Sequence, residues 1–253
     1  MHRRSNATKS LGYHTKIAAM AMVCSALAAR SRAPVVVDVP GGRFRMGSEH
    51  GRPDERPVRD VEVRAFALAR TPITRGQYAA FLVSGAAEAP PWWDDAEFAH
   101  PDQPVVGVTW FEASSYASWL SAELGGAWRL PTEAEWERAA RGGLDQAPTP
   151  WGDSLPPGEV PDGPLSAPWP AGRGTPNAFG LCDMGTIVHE WCADWYALET
   201  PVSDERGPAP ARRASRGGSW RHRVRWSPPS ARSSLPPAFR YADYGFRVLR
   251  ERA

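Results

Sequence analysis

The chain of 253 residues is 42% hydrophobic and 23% charged, long and apolar enough for a buried core, which excludes a disordered polymer. Its 30 basic and 28 acidic residues leave a formal charge of +2, so no global attraction to nucleic acid is available. The 23 glycines and 26 prolines, about a fifth of the chain, favour turns and loops over a helical bundle.

Residues 1–16 carry Arg3, Arg4, Lys9 and Lys16 and no acid, and they run into the apolar stretch Ile17–Ala29. A basic start, a short apolar run and the small residues of Ala26-Leu27-Ala28 make the pattern of a secretory signal. The run is thirteen residues long, too short for a spanning helix of about 20. Residues 1–33 are therefore expected to be a signal peptide or leader and 34–253 the folded domain. The expected location is exported, periplasmic or secreted, with a cytoplasmic protein as the alternative. Membrane association is expected only if Cys24 is lipidated, and Ala21-Met22-Val23 before it suits that processing poorly. Once the leader is removed, Cys182 and Cys192 remain, either as a disulfide or as two unpaired core thiols.

From Val35 the chain reads as a strand to Val39, a turn at Pro40-Gly41-Gly42 and a second strand at Phe44–Ser48, in a hairpin-like arrangement. Arg59–Thr71 alternates and predicts another strand. Thr74 is placed to cap a helix running to about Val83. Trp110, Ala113, Ala117, Leu120 and Leu124 recur at helical spacing behind Thr109 as cap. Thr132 and Glu135 form a capping box for a helix ending at Arg141, where Gly142-Gly143 stops it. Glu133, Glu135 and Glu137 look like acid–base groups, yet at a first helical turn they are expected to serve the helix dipole. Leu144–Asn177 is irregular. Strands are expected near Gly180–Met184 and Val188–Trp195, then a loop over Leu198–Ala214, a strand at Ser215–Trp220 and a last strand at Tyr244–Arg250. No internal repeat appears, and the reading is one α+β domain with two main helices and short strands.

Eight segments stand out in order: Gly42-Arg43-Phe44-Arg45-Met46-Gly47-Ser48, Thr71-Pro72-Ile73-Thr74 with Gln77-Tyr78, Pro104–Trp110, Arg129–Glu137, Trp151-Gly152-Asp153, Asn177 with Phe179-Gly180-Leu181, Arg216-Gly217-Gly218-Ser219-Trp220, and Gly245-Phe246-Arg247-Val248. Together they resemble the formylglycine-generating enzyme or sulfatase-modifying factor family. The resemblance spans about residues 38–250 and implies a C-type-lectin-like fold with little regular secondary structure. Of the twelve tryptophans, Trp110, Trp136, Trp151, Trp191 and Trp220 lie in or beside these segments and are expected in the core.

In the enzymes of that family two cysteines after the Gly-Gly-Ser turn bind copper, which soft thiolates select. Here those positions hold His222 and Ser227, so the resemblance leaves the catalytic residues unassigned and copper-dependent cysteine oxidation is not expected. Around the family's calcium site the asparagine is replaced by Ile187 and a tryptophan by His189; only Glu190 keeps the ligand type, so a calcium there would rest on Glu190. No other cofactor is expected. His189, His222, Cys182 and Cys192 are the one combination whose side chains suit a replacement metal, against the plainer reading of core and surface residues.

Between residues 203 and 252 twelve arginines face Asp204, Glu205, Asp243 and Glu251. Arg216, Arg232 and Arg247 are expected to pair with buried acids such as Asp194 or Glu190. Trp220, Arg221, His222, Arg223, Arg225, Trp226 and Arg240 are the expected ligand-binding set, suited to a peptide or small anion through forked hydrogen bonds and stacking. The expected protein is a monomer that binds such a ligand and not nucleic acid. The alternatives are a formylglycine-generating or related tailoring oxidase with other ligands, and a diversified ligand-binding variable protein.

Overall fold

The computed structural model describes residues 33–156, 163–197 and 211–252. Residues 1–32 of the expected leader, Cys24 among them, lie outside the described residues, as does the 198–210 part of the expected loop.

Three helices start where a threonine supplies a side-chain acceptor and a Gln or Glu three residues on reaches back. In α1 (Arg75–Val83) Gln77 N–H donates to Thr74 Oγ1 at 3.2 Å, and Thr74 N–H donates to Gln77 Oε1 at 2.9 Å. Thr109 and Glu112 do the same for α2 (Trp110–Leu124), and Thr132 and Glu135 for α3 (Glu133–Arg141). Each box satisfies backbone donors that a first turn otherwise leaves open. Gly142, in the left-handed region at φ 59°, ends α3.

Among the described residues ten short strands form three sheets. β1 (Val36–Val39), β4 (Phe66–Ala69), β10 (Leu249–Glu251) and β5 (Trp128–Arg129) lie antiparallel in the order β1-β4-β10-β5. β2 (Gly42–Met46) pairs with β3 (Arg59–Val63). β8 (Arg232–Leu235), β7 (Arg213–Arg216), β6 (His189–Trp195) and β9 (Tyr244–Gly245) make the third, in which β6 and β9 are parallel.

The α+β class holds, while several strand expectations change. β1 and β2 do not form a hairpin: every residue of β4 is buried, and such a strand takes partners on both edges, here β1 and β10. Gly41 lets the chain turn away, since a Cβ there would stand 2.7 Å from Ala65 N. The expected strand at 59–71 is broken between β3 and β4, and Gly180–Met184 is not a strand, because Asp183 takes a φ of 62°. The strand expected at Ser215–Trp220 is β7, which stops at Gly217 with φ 75°. The last strand divides into β9 and β10 around Arg247, whose side chain turns inward.

The main core joins α1 and α2 through Tyr78, Phe81, Tyr116 and Phe246, with the two tyrosine rings stacked at 5.6 Å. Trp136 and Trp191 are fully buried and Trp220 nearly so. Trp110 and Trp151 are only half-buried; each anchors its indole N–H on a carbonyl, Cys192 O at 2.8 Å and Thr175 O at 2.9 Å. Cys182 and Cys192 are both buried free thiols, so the disulfide alternative falls. Burial pushes both thiols up, which keeps them protonated and unreactive.

Candidate ligand site beside the Gly217–Ser219 turn

The turn rests on a frame of buried ion pairs. Arg247 forks Glu190, Nε to Oε2 at 2.5 Å and Nη2 to Oε1 at 2.7 Å, and Trp136 Nε1 donates to the same carboxylate at 2.7 Å. Arg216 donates to Glu137 at 2.8 Å and lies 3.0 Å from Glu133. Arg232 forks Glu133 at 2.8 and 2.7 Å, and Arg141 closes on Glu137 at 2.6 Å. Buried charges persist only when paired in this way. Glu133 and Glu137 are therefore ion partners of the core rather than dipole ligands, whereas Glu135 does cap its helix and pairs with Arg129 at 2.7 Å. Asp194 takes no motif arginine; it accepts from Glu133 N–H at 2.7 Å, and burial pushes its carboxyl up to about 6.

On this frame Gly218 N–H donates to Gly185 O and Trp220 N–H to Ile187 O, at 3.2 and 3.1 Å. Ser219, buried, donates its hydroxyl to Asp243 Oδ2 at 3.1 Å and touches His222 Nδ1 at 3.4 Å. His189, at the start of β6, contacts Gly217 O through Nδ1 at 2.8 Å. Its ring centroid stands 5.3 Å from that of His222 and 4.9 Å from Tyr244. Tyr244 holds its hydroxyl 2.9 Å from Ser233 Oγ. Desolvation lowers His189 to about 4, against the pull of Asp243, so its imidazole is neutral at pH 7.

Of the residues expected to bind, Arg221, His222, Arg223 and Arg225 stand exposed on the segment after the turn. Arg221 lies over the Trp220 ring at 4.7 Å and 3.9 Å from Asp243. The side chain of Trp226 is outside the described residues. Trp220 is not a binding platform: it is buried against Phe98, its Nε1 donating to Ala242 O at 3.4 Å. Arg240 is not free either, because it donates to Glu112 at 2.6 Å and to Gly107 O at 2.8 Å. Ser219, Asp243 and Tyr244 are added by the structure. Tyr244 sits immediately before the Gly245-Phe246-Arg247 motif, which is the one local signal that could have marked it.

The residues do not fit the family's metals. Ser227 is buried against Gly218 and His222 is an exposed imidazole, so no thiolate pair stands here. Glu190, expected to carry calcium, spends both oxygens on Arg247 and Trp136. Its neighbour Ile187 is a fully buried hydrocarbon where an amide oxygen would be needed. Among the described residues no group of three or more His, Cys, Asp or Glu side chains is placed to hold an ion, and His189 and His222 do not gather the two cysteines around them.

Residues 24–252 match the family model described as the Sulfatase-modifying factor enzyme 1-like domain. The chain belongs to the sulfatase-modifying factor family. The formylglycine-generating enzyme of Streptomyces coelicolor is 34% identical over 85% of this chain and 88% of its own length. That of Thermomonospora curvata is also 34% identical, over 84% and 92%. Among solved structures PvdO from Pseudomonas aeruginosa superposes with a TM-score of 0.75 at 28% identity, covering 87% of this chain and 95% of PvdO. Treponema denticola variable protein 1 shares the fold at a TM-score of 0.72 and 22% identity, over 86% and 95% of the two chains. The family fold is thus kept by a member with His222 and Ser227 at the two positions where the resemblance implies thiols.

Proposed function

We propose that this sulfatase-modifying factor family protein binds a peptide or small anionic ligand beside the Gly217–Ser219 turn, without copper-dependent cysteine oxidation. The observation that carries the reading is the fate of the two thiol positions: His222 projects into solvent among Arg221, Arg223 and Arg225, while Ser227 is buried under the turn. Exposed guanidinium groups offer forked donors to carboxylates. They stand on a segment that the turn and Asp243 fix in place, so little order has to be created on binding. The protein acts as a monomer, does not take nucleic acid, and is exported by its leader; sequencing the mature N-terminus in the producing cell tests the last point, and a chain still beginning at Met1 counts against it.

Titration of the full chain with an acidic peptide, followed by tryptophan fluorescence, tests the binding reading. Saturable binding that weakens in Arg221→Ser and Arg223→Ser is expected. Equal affinity for a basic peptide would sink the proposal. The likeness to formylglycine-generating enzymes at 34% identity favours a second reading, an oxidase with other ligands. Incubation of a Cys-X-Pro-X-Arg peptide with protein, copper and oxygen separates the two: unchanged peptide mass is expected, and conversion of the cysteine to an aldehyde would establish the oxidase.

A further inference from the structure

We infer that His189 and His222 form a two-imidazole site for zinc or a similar divalent transition-metal ion, its remaining positions filled by water. This site goes beyond the binding reading and does not depend on the ligand. Gly217 O can only accept, so His189 Nδ1 at 2.8 Å carries the proton and donates. The neutral ring then has its lone pair on Nε2.

The second ring follows the same logic through one more bond. Asp243 Oδ2 can only accept, so Ser219 spends its single proton there at 3.1 Å. His222 Nδ1, 3.4 Å from the same hydroxyl oxygen, is then the donor of that contact. Its Nε2 likewise carries the lone pair. Each Nδ1–H is thus tied to an oxygen, a backbone carbonyl in one case and a carboxylate-backed hydroxyl in the other. That is the outer arrangement which fixes the tautomer of metal-bound histidines and raises their basicity.

Spacing supports the pair. With metal–nitrogen bonds of about 2.0–2.1 Å, two imidazoles on one tetrahedral ion place their ring centroids about 5 Å apart. The two rings here stand 5.3 Å apart. Imidazole nitrogen suits zinc and its neighbours, whereas calcium and magnesium prefer oxygen. Because no third side chain completes the site among the described residues, the ion keeps open positions. Open positions set such a site apart from structural zinc centres, which are closed by four protein ligands.

Equilibrium dialysis of the full chain against Zn(II), read by elemental analysis, is the test, with Co(II) absorption as a second readout of coordination. One equivalent retained by the unaltered chain is expected, lost in His222→Ala and in His189→Ala and kept in the control His50→Ala. Ser219→Ala, which removes the hydroxyl behind His222 Nδ1 together with its bond to Asp243, is expected to weaken zinc about tenfold. His222 is exposed, so its alanine variant remains informative if His189→Ala fails to fold. No zinc retained by the unaltered chain overturns the inference. So does an undiminished equivalent, or an unchanged cobalt spectrum, in His222→Ala.

Discussion

Gly218 and Ser227 are in such close contact that a Cβ added to Gly218 would stand 1.7 Å from Ser227 Oγ and 2.6 Å from its Cβ. The second thiol position of the family is therefore filled here by a small hydroxyl under a bare glycine. Gly218→Ala is expected to destabilise the fold by about 1–3 kcal/mol through overpacking, read as a lower denaturant midpoint. Ser227→Cys, which enlarges the same atom, is expected to move the midpoint in the same direction. A midpoint unchanged in both would show that the turn yields easily.

The two arginine pairs predict different costs. Arg247→Met strands Glu190 in a site where both partners are fully buried, and removal of one member of such a pair costs about 3–5 kcal/mol. Arg240→Met breaks a pair whose arginine is a third exposed, where solvent screening leaves about 0–1 kcal/mol. Urea unfolding of the two variants measures the contrast. Similar losses in both would contradict the assignment of Arg247 to the core and Arg240 to its edge.

Asp183 predicts a pH effect of definite sign. Burial is the main cause that lifts its carboxyl to about 6, with one bond from Gly172 N–H at 2.6 Å opposing it. Its folded value exceeds the unfolded one, so the proton it holds stabilises the fold at low pH, and that contribution is lost as pH rises from about 4 through 6. Asp183→Asn keeps the acceptor and tolerates positive φ, and it removes the ionisation cost. The variant is expected to be the more stable one at pH 7, by up to about 3 kcal/mol, with the advantage fading toward pH 4. A constant difference across that range would exclude the linkage.

His189 shifts the other way. Its value falls to about 4, so stability is fully present above the ordinary histidine range near 6.5 and declines as pH drops toward 4. Histidine ring resonances followed by NMR are expected to show one imidazole that stays neutral down to about pH 5. Loss of that resonance in His189→Gln assigns it; a titration near 6.5 would mean that the ring is hydrated.

Neutralising Arg221 and Arg223 is expected to weaken an acidic peptide by about fivefold each and to flatten its salt dependence, as exposed charges do. Isothermal titration at two salt concentrations measures both effects.

Helix starts were legible in the sequence because a cap is a local event: Thr74, Thr109 and Thr132 each contact a residue three positions on, and that spacing is visible in any single stretch of chain. The family segments and the loss of both thiols were equally plain. Strand partners were not, since β1 meets β4 and β6 meets β9 across long stretches of chain, and pairing depends on what each strand buries rather than on its own residues. The same holds for the site. Arg221, Arg223 and Arg240 look alike in sequence, yet Glu112, held out on α2, takes Arg240 out of use. Trp220 and His222 are two positions apart in the chain, and only packing against Phe98 puts one inside and leaves the other in water. The sequence alone determined the family, the helices and the missing thiols; tertiary structure decided which arginines are exposed and set His189 beside His222, because burial and charge pairing are properties of neighbours brought from elsewhere in the chain.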